Sequence, residues 1–231
     1  MSRNYENLRN SEENLSKIFE KFFRHSIKIH RTTLKAIDAL IEKNNEKAEE
    51  YFVQIDKEEF ESNQFEANII DEAVWIISKD QPLANHLRFL IAIISSSSDL
   101  ERICDYAKNI SKFLKFNYHS DQYYLENLKS LHTNVFKKYF EIFEKFKATD
   151  PNHVLEFALS KKESFERKYI QNIKIVTQRL TLENQQDYLY NFIIALKNVE
   201  RILDHQINII EKFIYIKRGA FIIEKTDLGS K

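Results

Sequence analysis

Glycine is almost absent from this chain. The 231 residues include only two glycines, Gly219 and Gly229, so the first 218 residues contain none. Phosphate-binding loops and the dinucleotide fingerprint need backbone that approaches a ligand without a Cβ atom, and that stretch cannot form them. Tight β-hairpins depend on glycine for the same conformational reason. With only two prolines and many charged and aliphatic residues, the sequence predicts an all-α protein.

The charge balance indicates which kinds of partner to expect, and the cysteine content indicates the cellular compartment. Lysine plus arginine and aspartate plus glutamate balance at 35 each, so no nucleic-acid partner is expected. The single Cys104 cannot form an intramolecular disulfide and fits a reducing compartment. The first residues are polar, and the longest apolar run, 89–94, is too short to span a membrane. We expect a cytoplasmic protein that reaches a membrane only through its partners.

Polar breaks divide the chain into six long helical segments. Ser11 is the predicted N-cap of the first helix, and Pro82 is placed in the first turn of the third. The clearest helix start lies at Asp150 and Pro151, where a capping carboxylate precedes a proline with helical φ. The last helix is predicted over residues 186–218. Short connections between such helices make sequential neighbours antiparallel.

One motif occurs twice, which indicates an internal duplication. Residues 101–110 and 200–209 share the pattern Glu-Arg-Ile-x-Asp-x-x-x-Asn-Ile. Three helices that end in the same motif, written twice, predict two tandem three-helix bundles related by a pseudo-two-fold axis. The predicted units are a first repeat over 1–118, a second repeat over 119–219 and a tail over 220–231.

The repeated motif places two carboxylates one helical turn apart in each copy. They are Glu101 and Asp105, and Glu200 and Asp204. Like charges at this spacing repel by about 0.2–0.5 kcal/mol, so each pair needs a counterpart. Arg102 and Arg201 do not share the carboxylate face, and they are expected to pair across to another helix. Structural ion pairs or hydrogen bonds are one interpretation; the other is a cation held between helices, because oxygen ligands favour hard metal ions.

A di-iron oxidase is the obvious enzyme alternative for a carboxylate-rich bundle. That chemistry requires Glu-x-x-His pairs on two helices. None of the seven histidines has a glutamate three residues before it. No Ser/His/Asp or Cys/His arrangement is recognisable either, so we expect no enzyme. A metal-binding helical bundle with an enzymatic or storage role remains the alternative.

Two stretches carry a family resemblance. Residues 71–110 resemble the first repeat of the PhoU family, and residues 198–221 resemble the final helix of its second repeat. The matching positions in the first stretch are Gln81, Pro82, Leu87, Arg88, Asp99, Leu100, Glu101, Arg102, Ile103, Asp105, Asn109 and Ile110. The chain departs from the family pattern where Cys104 and Leu203 replace the motif glycines.

The resemblance implies a function and partners. PhoU proteins restrain a high-affinity phosphate ABC transporter, so the expected partner is the ATPase subunit of such a transporter. They also link the transporter to a sensor histidine kinase, and they often form homodimers. The resemblance therefore implies a cytoplasmic negative regulator of phosphate uptake and phosphate homeostasis.

The resemblance also implies metal sites, because some family members hold clusters of iron or other metals at paired carboxylate motifs. The residues carried over to this chain are Glu59, Glu66, Glu101 and Asp105 in the first repeat, and Glu166, Glu200 and Asp204 in the second. Two departures weaken the set: Asn63 is an amide where the family has a carboxylate, and Lys162 places an ammonium at a ligand position. An ammonium there opposes cation binding directly. The first-repeat site is therefore the better candidate.

Overall fold

The predicted all-α fold is confirmed. The structure is a computed structural model that describes residues 2–117, 121–148, 151–180 and 186–218, with side chains detailed for most of them. These ranges form six helices. They are α1 (Ser2–Ile41), α2 (Asn45–Asp80), α3 (Asn85–Phe116), α4 (Gln122–Ala148), α5 (Pro151–Leu180) and α6 (Gln186–Arg218). None of the helices within these ranges is both long enough and apolar enough to cross a membrane.

Three helix boundaries test the sequence predictions. Ser11 is not the N-cap of α1, since the helix begins at Ser2 and Leu8 continues its buried face toward the N-terminus. Pro82 is not in α3: Gln81 and Ala84 both have positive φ and turn the chain, so α3 begins only at Asn85. The predicted start of α5 at Pro151 is confirmed, whereas its predicted cap, Asp150, lies outside the described residues.

The helices pack as two bundles. The helices α1, α2 and α3 contact one another pairwise, and so do α4, α5 and α6; the bundles meet through α1 against α4 and through α3 against α6. Tyr106 and His205 occupy equivalent positions of the two motif copies. Their side chains touch, with 2.9 Å between the tyrosine hydroxyl and Nε2, as expected near a pseudo-two-fold axis. The predicted repeat boundary at 118/119 and the tail 220–231 lie outside the described residues.

Aromatic side chains fill the contact between the bundles on the α1–α4 side. Phe23 stacks on Tyr139 and Phe143, with ring centroids 5.2 and 4.3 Å apart. The Tyr139 hydroxyl is 2.5 Å from Ser26 Oγ, so this buried phenol has a polar partner. Stacked aromatic pairs add about 0.5–1.5 kcal/mol beyond the area that they bury. This contact fixes α4 against α1.

A pair of buried histidines also joins the two bundles. His30 Nε2 donates to the Ile103 carbonyl oxygen at 2.8 Å, so its Nδ1 must accept from His132 Nε2, 3.1 Å away. That tautomer leaves His132 Nδ1 buried without a partner. Burial lowers the pKa of His30 to about 4, against the opposing effect of its carbonyl partner. Burial and the neighbouring His30 lower the pKa of His132 well below its usual value.

These histidines should make the fold sensitive to acid. Because the native state holds them neutral, the unfolded chain binds more protons below pH 6.5, and stability is lost as pH falls from there toward 4. The His30 shift corresponds to roughly 3 kcal/mol at most. We expect His30→Leu/His132→Leu to lose much of this acid sensitivity in urea unfolding followed by circular dichroism.

The control for the histidine pair is His153→Gln, a change at an exposed histidine on α5. Its acid sensitivity should equal that of the unmodified protein. A double variant that keeps the full pH dependence would contradict this role of the buried pair.

Candidate functional site

The first-repeat carboxylates lie between α2 and α3. Glu59 is buried on α2, and both of its oxygens accept hydrogen bonds. Oε2 accepts from Lys108 Nζ at 2.6 Å, and Oε1 accepts from Asn63 Nδ2 at 3.1 Å. Asn63, the amide at a family carboxylate position, therefore donates to its neighbour on α2. The sequence reasoning missed Lys108, which is one turn beyond the carboxylate pair on α3.

Glu66 is linked to α3 by a serine. Its Oε1 accepts a hydrogen bond from Ser98 Oγ at 2.6 Å. Ser98 ends a run of four serines, of which Ser96 and Ser97 are fully buried. Small side chains let helices approach closely, and here one of them also donates to the carboxylate. The run of serines was the available sequence indication of this contact.

Glu101 and Asp105 both have raised pKa values. Burial raises the pKa of Glu101 to about 7, with further raising by Asp105, Glu66 and Glu59 and partial lowering by Arg102. Burial and Glu59 likewise raise the pKa of Asp105. The four predicted residues of the first repeat are thus close enough to influence one another electrostatically. Their role as metal ligands stays a prediction.

The arginines of the motif do not reach another helix, contrary to the sequence expectation. Arg102 lies 3.8 Å from Glu101 and 3.6 Å from Asp105 on its own helix. Arg201 likewise lies 3.3 Å from Asp204 on α6. A long, exposed guanidinium reaches back along the helix at i, i+3 spacing without the cost of crossing between helices. The counter-charges from other helices come from lysines.

A protein cation occupies the first-repeat cluster. Lys108 neutralises Glu59, and its pKa is raised chiefly by that hydrogen bond. Within the part of the chain that the structure describes, no group of three or more His, Cys, Asp or Glu side chains is placed to hold a metal ion. Cys104 lies beneath the cluster, where burial raises its thiol pKa well above the usual value.

The second-repeat carboxylates are each paired with a cation. Lys162 Nζ lies 3.0 Å from Asp204 and 3.8 Å from Glu166. Glu200 forms a close ion pair with Lys197. The ammonium that the sequence placed at a ligand position therefore faces the carboxylates directly. The second copy keeps the shape of the motif but neutralises its charge.

A polar network between α3 and α6 was not predicted from the sequence. Asp99 is buried and accepts from His205 Nδ1 at 2.7 Å, while Lys212 forms a close ion pair with it. His205 Nε2 in turn contacts the Tyr106 hydroxyl at 2.9 Å. Lys212 lies three residues beyond the second motif copy, but nothing in the sequence indicates Asp99 on α3 as its partner, so only the tertiary structure reveals this pairing.

Comparison with known proteins identifies the family. The two three-helix bundles, each ending in the carboxylate motif, define the class as a tandem three-helix-bundle protein. The family model described as the PhoU domain matches residues 22–114. The chain is also 32% identical over 189 residues to the "phosphate-specific transport system accessory protein PhoU homolog" of Pseudomonas aeruginosa, covering 80% of this chain and 76% of that protein. This chain belongs to the PhoU family.

Two further similarities extend over nearly the whole chain. An uncharacterised protein of Mycoplasma genitalium is 36% identical over 218 residues, covering 93% of this chain and 96% of that protein. The crystal structure of PhoU from Pseudomonas aeruginosa superposes with a TM-score of 0.76 at 24% identity, covering 92% of this chain and 99% of that one. The structural similarity confirms the fold over both bundles.

The raised pKa of Glu101 gives a testable stability effect. Since the native state holds this proton more tightly than the unfolded chain, stability is present at low pH and is lost as pH rises from 4.5 through about 7. Glu101→Gln should therefore stabilise the protein at about pH 8, by on the order of 1 kcal/mol after solvent screening, and change little at about pH 4.5. Urea unfolding at both pH values measures this.

The matched control for Glu101 is Glu200→Gln at the equivalent position of α6. It removes the ion pair with Lys197 and should give no stabilisation at alkaline pH. Equal effects of the two substitutions would show that the carboxylate cluster of the first repeat is not repulsive.

Proposed function

We propose that this chain is a cytoplasmic regulator of phosphate uptake that acts by protein–protein contact and not by catalysis. The observation that carries the proposal is its relation to a curated accessory protein of phosphate-specific transport, across 80% of the chain. In this proposal, the chain docks on the ATPase subunit of a phosphate ABC transporter and restrains uptake. Where the cell has a sensor histidine kinase for phosphate, the chain couples the transporter to it.

Exposed apolar side chains support a role in protein contact. Val53, Phe60, Val74 and Trp75 are large apolar residues of α2 that are half-exposed or more. Soluble chains leave such residues uncovered singly, but several along one helix are typical of a surface that binds another protein. The proposal assigns this α2 surface to contact with the transporter or with a second copy in a homodimer.

Deletion of the gene tests the proposed function. Phosphate uptake in phosphate-rich medium should rise above that of the parent strain, because the restraint on the transporter is lost. Initial uptake of radiolabelled phosphate measures this, and a plasmid copy of the intact gene should restore the parental rate. An unchanged uptake rate in the deletion strain would contradict regulation of transport.

Metal binding at the first-repeat cluster is a second candidate function. The observation that favours it is the raised pKa of Glu101, which comes first from burial and then from the neighbouring carboxylates of Asp105, Glu66 and Glu59. Glu59, Glu66, Glu101 and Asp105 would supply oxygen ligands for iron or another divalent or trivalent ion, provided that Lys108 leaves Glu59. A bound cation would supply the missing positive charge. Such a bundle could then serve storage or enzymatic chemistry instead of regulation.

The two repeats provide an internal comparison for metal binding. Purified protein incubated with ferric or manganous ions and then desalted should retain metal if the first-repeat cluster binds it. Glu101→Gln/Asp105→Asn should then abolish retention, because it removes two oxygen ligands. Elemental analysis of the protein measures the metal directly.

The equivalent change in the second repeat is Glu200→Gln/Asp204→Asn. Its carboxylates are already neutralised by Lys197 and Lys162, so metal content should not change. Equal losses in both double variants, or no retained metal in the unmodified protein, would argue against a first-repeat metal site. A site that includes Glu166 would also be excluded if the second-repeat variant keeps its metal.

A further inference from the structure

A groove between α3 and α6 is lined by amides instead of charges. It encloses about 350 Å³ between the C-terminal part of α3 and the N-terminal part of α6. Asn109 lines it from α3, and Asn191 and Asn198 line it from α6. Phe113, which is almost completely buried, forms its floor. In a chain with 30% charged residues, the described residues of the lining include no carboxylate and a single ionised group, Lys112.

The pseudo-two-fold axis relates this groove to a region where an ion pair joins α3 and α6. Asn198 and Phe113 line the groove. The equivalent positions in the related region are occupied by Asp99 and Lys212, respectively. Lys212 forms a close ion pair with Asp99 and also donates to the Ser95 carbonyl oxygen at 2.8 Å. There, the partly buried ammonium of Lys212 and the buried carboxylate of Asp99 join the two helices.

No such ion pair crosses the groove itself, because Asn198 and Phe113 are both uncharged. A single charged residue at either of these positions would be a buried charge without a partner, which is strongly destabilising. It is therefore consistent that positions 113 and 198 are both neutral. Phe113 turns into the core, where its ring lies 5.8 Å from that of Tyr188 and 5.9 Å from that of Phe192. The amides of Asn109, Asn191 and Asn198 make no side-chain hydrogen bonds within the described residues. Each retains two donors and two acceptor lone pairs for a ligand.

Lys112 makes the groove attractive to anions. It lies between Lys108 and Lys115 on α3, and these two form ion pairs with α2 carboxylates at 2.6 and 2.7 Å. Lys112 has no ion-pair partner within the described part of the chain. Its ammonium is near enough to Asp105 to lower the pKa of that carboxyl, but the described part of the lining holds no carboxylate, so the ammonium is suited to a phosphate group.

An exposed aromatic ring borders the same groove. Phe116 is 84% exposed, an unusual exposure for a phenylalanine at the rim of a cavity. Ile194, on the opposite helix, is also exposed. A planar heteroaromatic ring gains affinity by stacking on such an exposed aromatic surface. Orthophosphate alone would leave the aromatic rim and most of the volume unused.

We propose that this groove binds a nucleotide. The base lies against Phe116, the asparagine amides hydrogen-bond to its edge, and the phosphate lies at Lys112. Asparagine pairs with the N6 and N7 atoms of adenine through two hydrogen bonds, which makes adenine nucleotides the first choice of ligand. The cavity volume falls within the range of small-molecule sites. This site goes beyond regulation by protein contact and does not depend on it.

Calorimetric titration of the full chain with AMP, adenosine and inorganic phosphate tests the site. AMP should bind, and adenosine and phosphate should each bind at least about tenfold more weakly, because each lacks one half of the recognised groups. Lys112→Gln should weaken AMP binding by at least about tenfold through loss of the phosphate contact. Asn198→Asp should weaken it similarly by restoring a carboxylate beside the anion.

Matched controls separate the groove from general effects. Lys57→Gln removes an exposed lysine of α2, and Asn172→Asp converts an asparagine of α5, so both should bind AMP normally. Phe116→Ala removes a side chain that is almost entirely exposed, so it should fold normally and lose affinity for AMP. Circular dichroism verifies that each variant is folded.

Three results would overturn the proposal. They are no binding of AMP at about 1 mM, equal AMP affinity of Lys112→Gln and the unmodified protein, and equal affinity for inorganic phosphate and AMP. The last result would leave an anion site without a base platform. None of these outcomes bears on the transport phenotype of the deletion strain, so the two proposals fail independently.

Discussion

The buried carboxylate of Asp99 sets the pairing of α3 with α6. A charge taken out of water costs several kcal/mol unless it is paired and hydrogen-bonded. Lys212 and His205 supply that pairing from α6, and His205 also reaches Tyr106 at the pseudo-two-fold axis. These contacts hold only at one register of the two helices. Since each motif lies on one of them, the positions of both carboxylate clusters and of the amide groove follow from this register.

The two motif copies have diverged in charge while keeping their backbone. In the first copy, Lys108 pairs with Glu59 and Arg102 lies near Glu101 and Asp105, yet burial and then the neighbouring carboxylates raise the pKa of Glu101 to about 7. In the second, Lys162 and Lys197 neutralise Asp204 and Glu200 individually. If the carboxylates only held the helices together, individual pairing with lysines, as in the second copy, would be sufficient. The repulsion retained in the first copy costs stability, and retained strain of this kind is characteristic of functional sites.

The sequence was sufficient for the fold and for part of the site. Scarcity of glycine and a motif repeated in register predicted six helices in two bundles, because both reflect local backbone preference. The grouping of Glu59 and Glu66 with Glu101 came from the family resemblance. The ion pairs of Lys108 and Lys212 could not be predicted from the sequence. Nothing in the sequence around a helical lysine indicates which carboxylate on another helix it will contact. Pro82 was misplaced because non-glycine residues adopt positive φ beside it.

The duplication explains how the protein can hold a polar core at one end of the α3–α6 interface and an open groove at the other. In a symmetric homodimer, both ends would carry the same residues, and replacing Asp99 would remove the register contact twice. In a single duplicated chain, the two ends can differ, and here Asn198 and Phe113 occupy the positions equivalent to Asp99 and Lys212. One ion pair is enough to fix two long helices, because the register is shared along their length. The groove at the other end of the interface does not need a second ion pair to hold the helices together. Its amides and Lys112 can therefore contact a ligand.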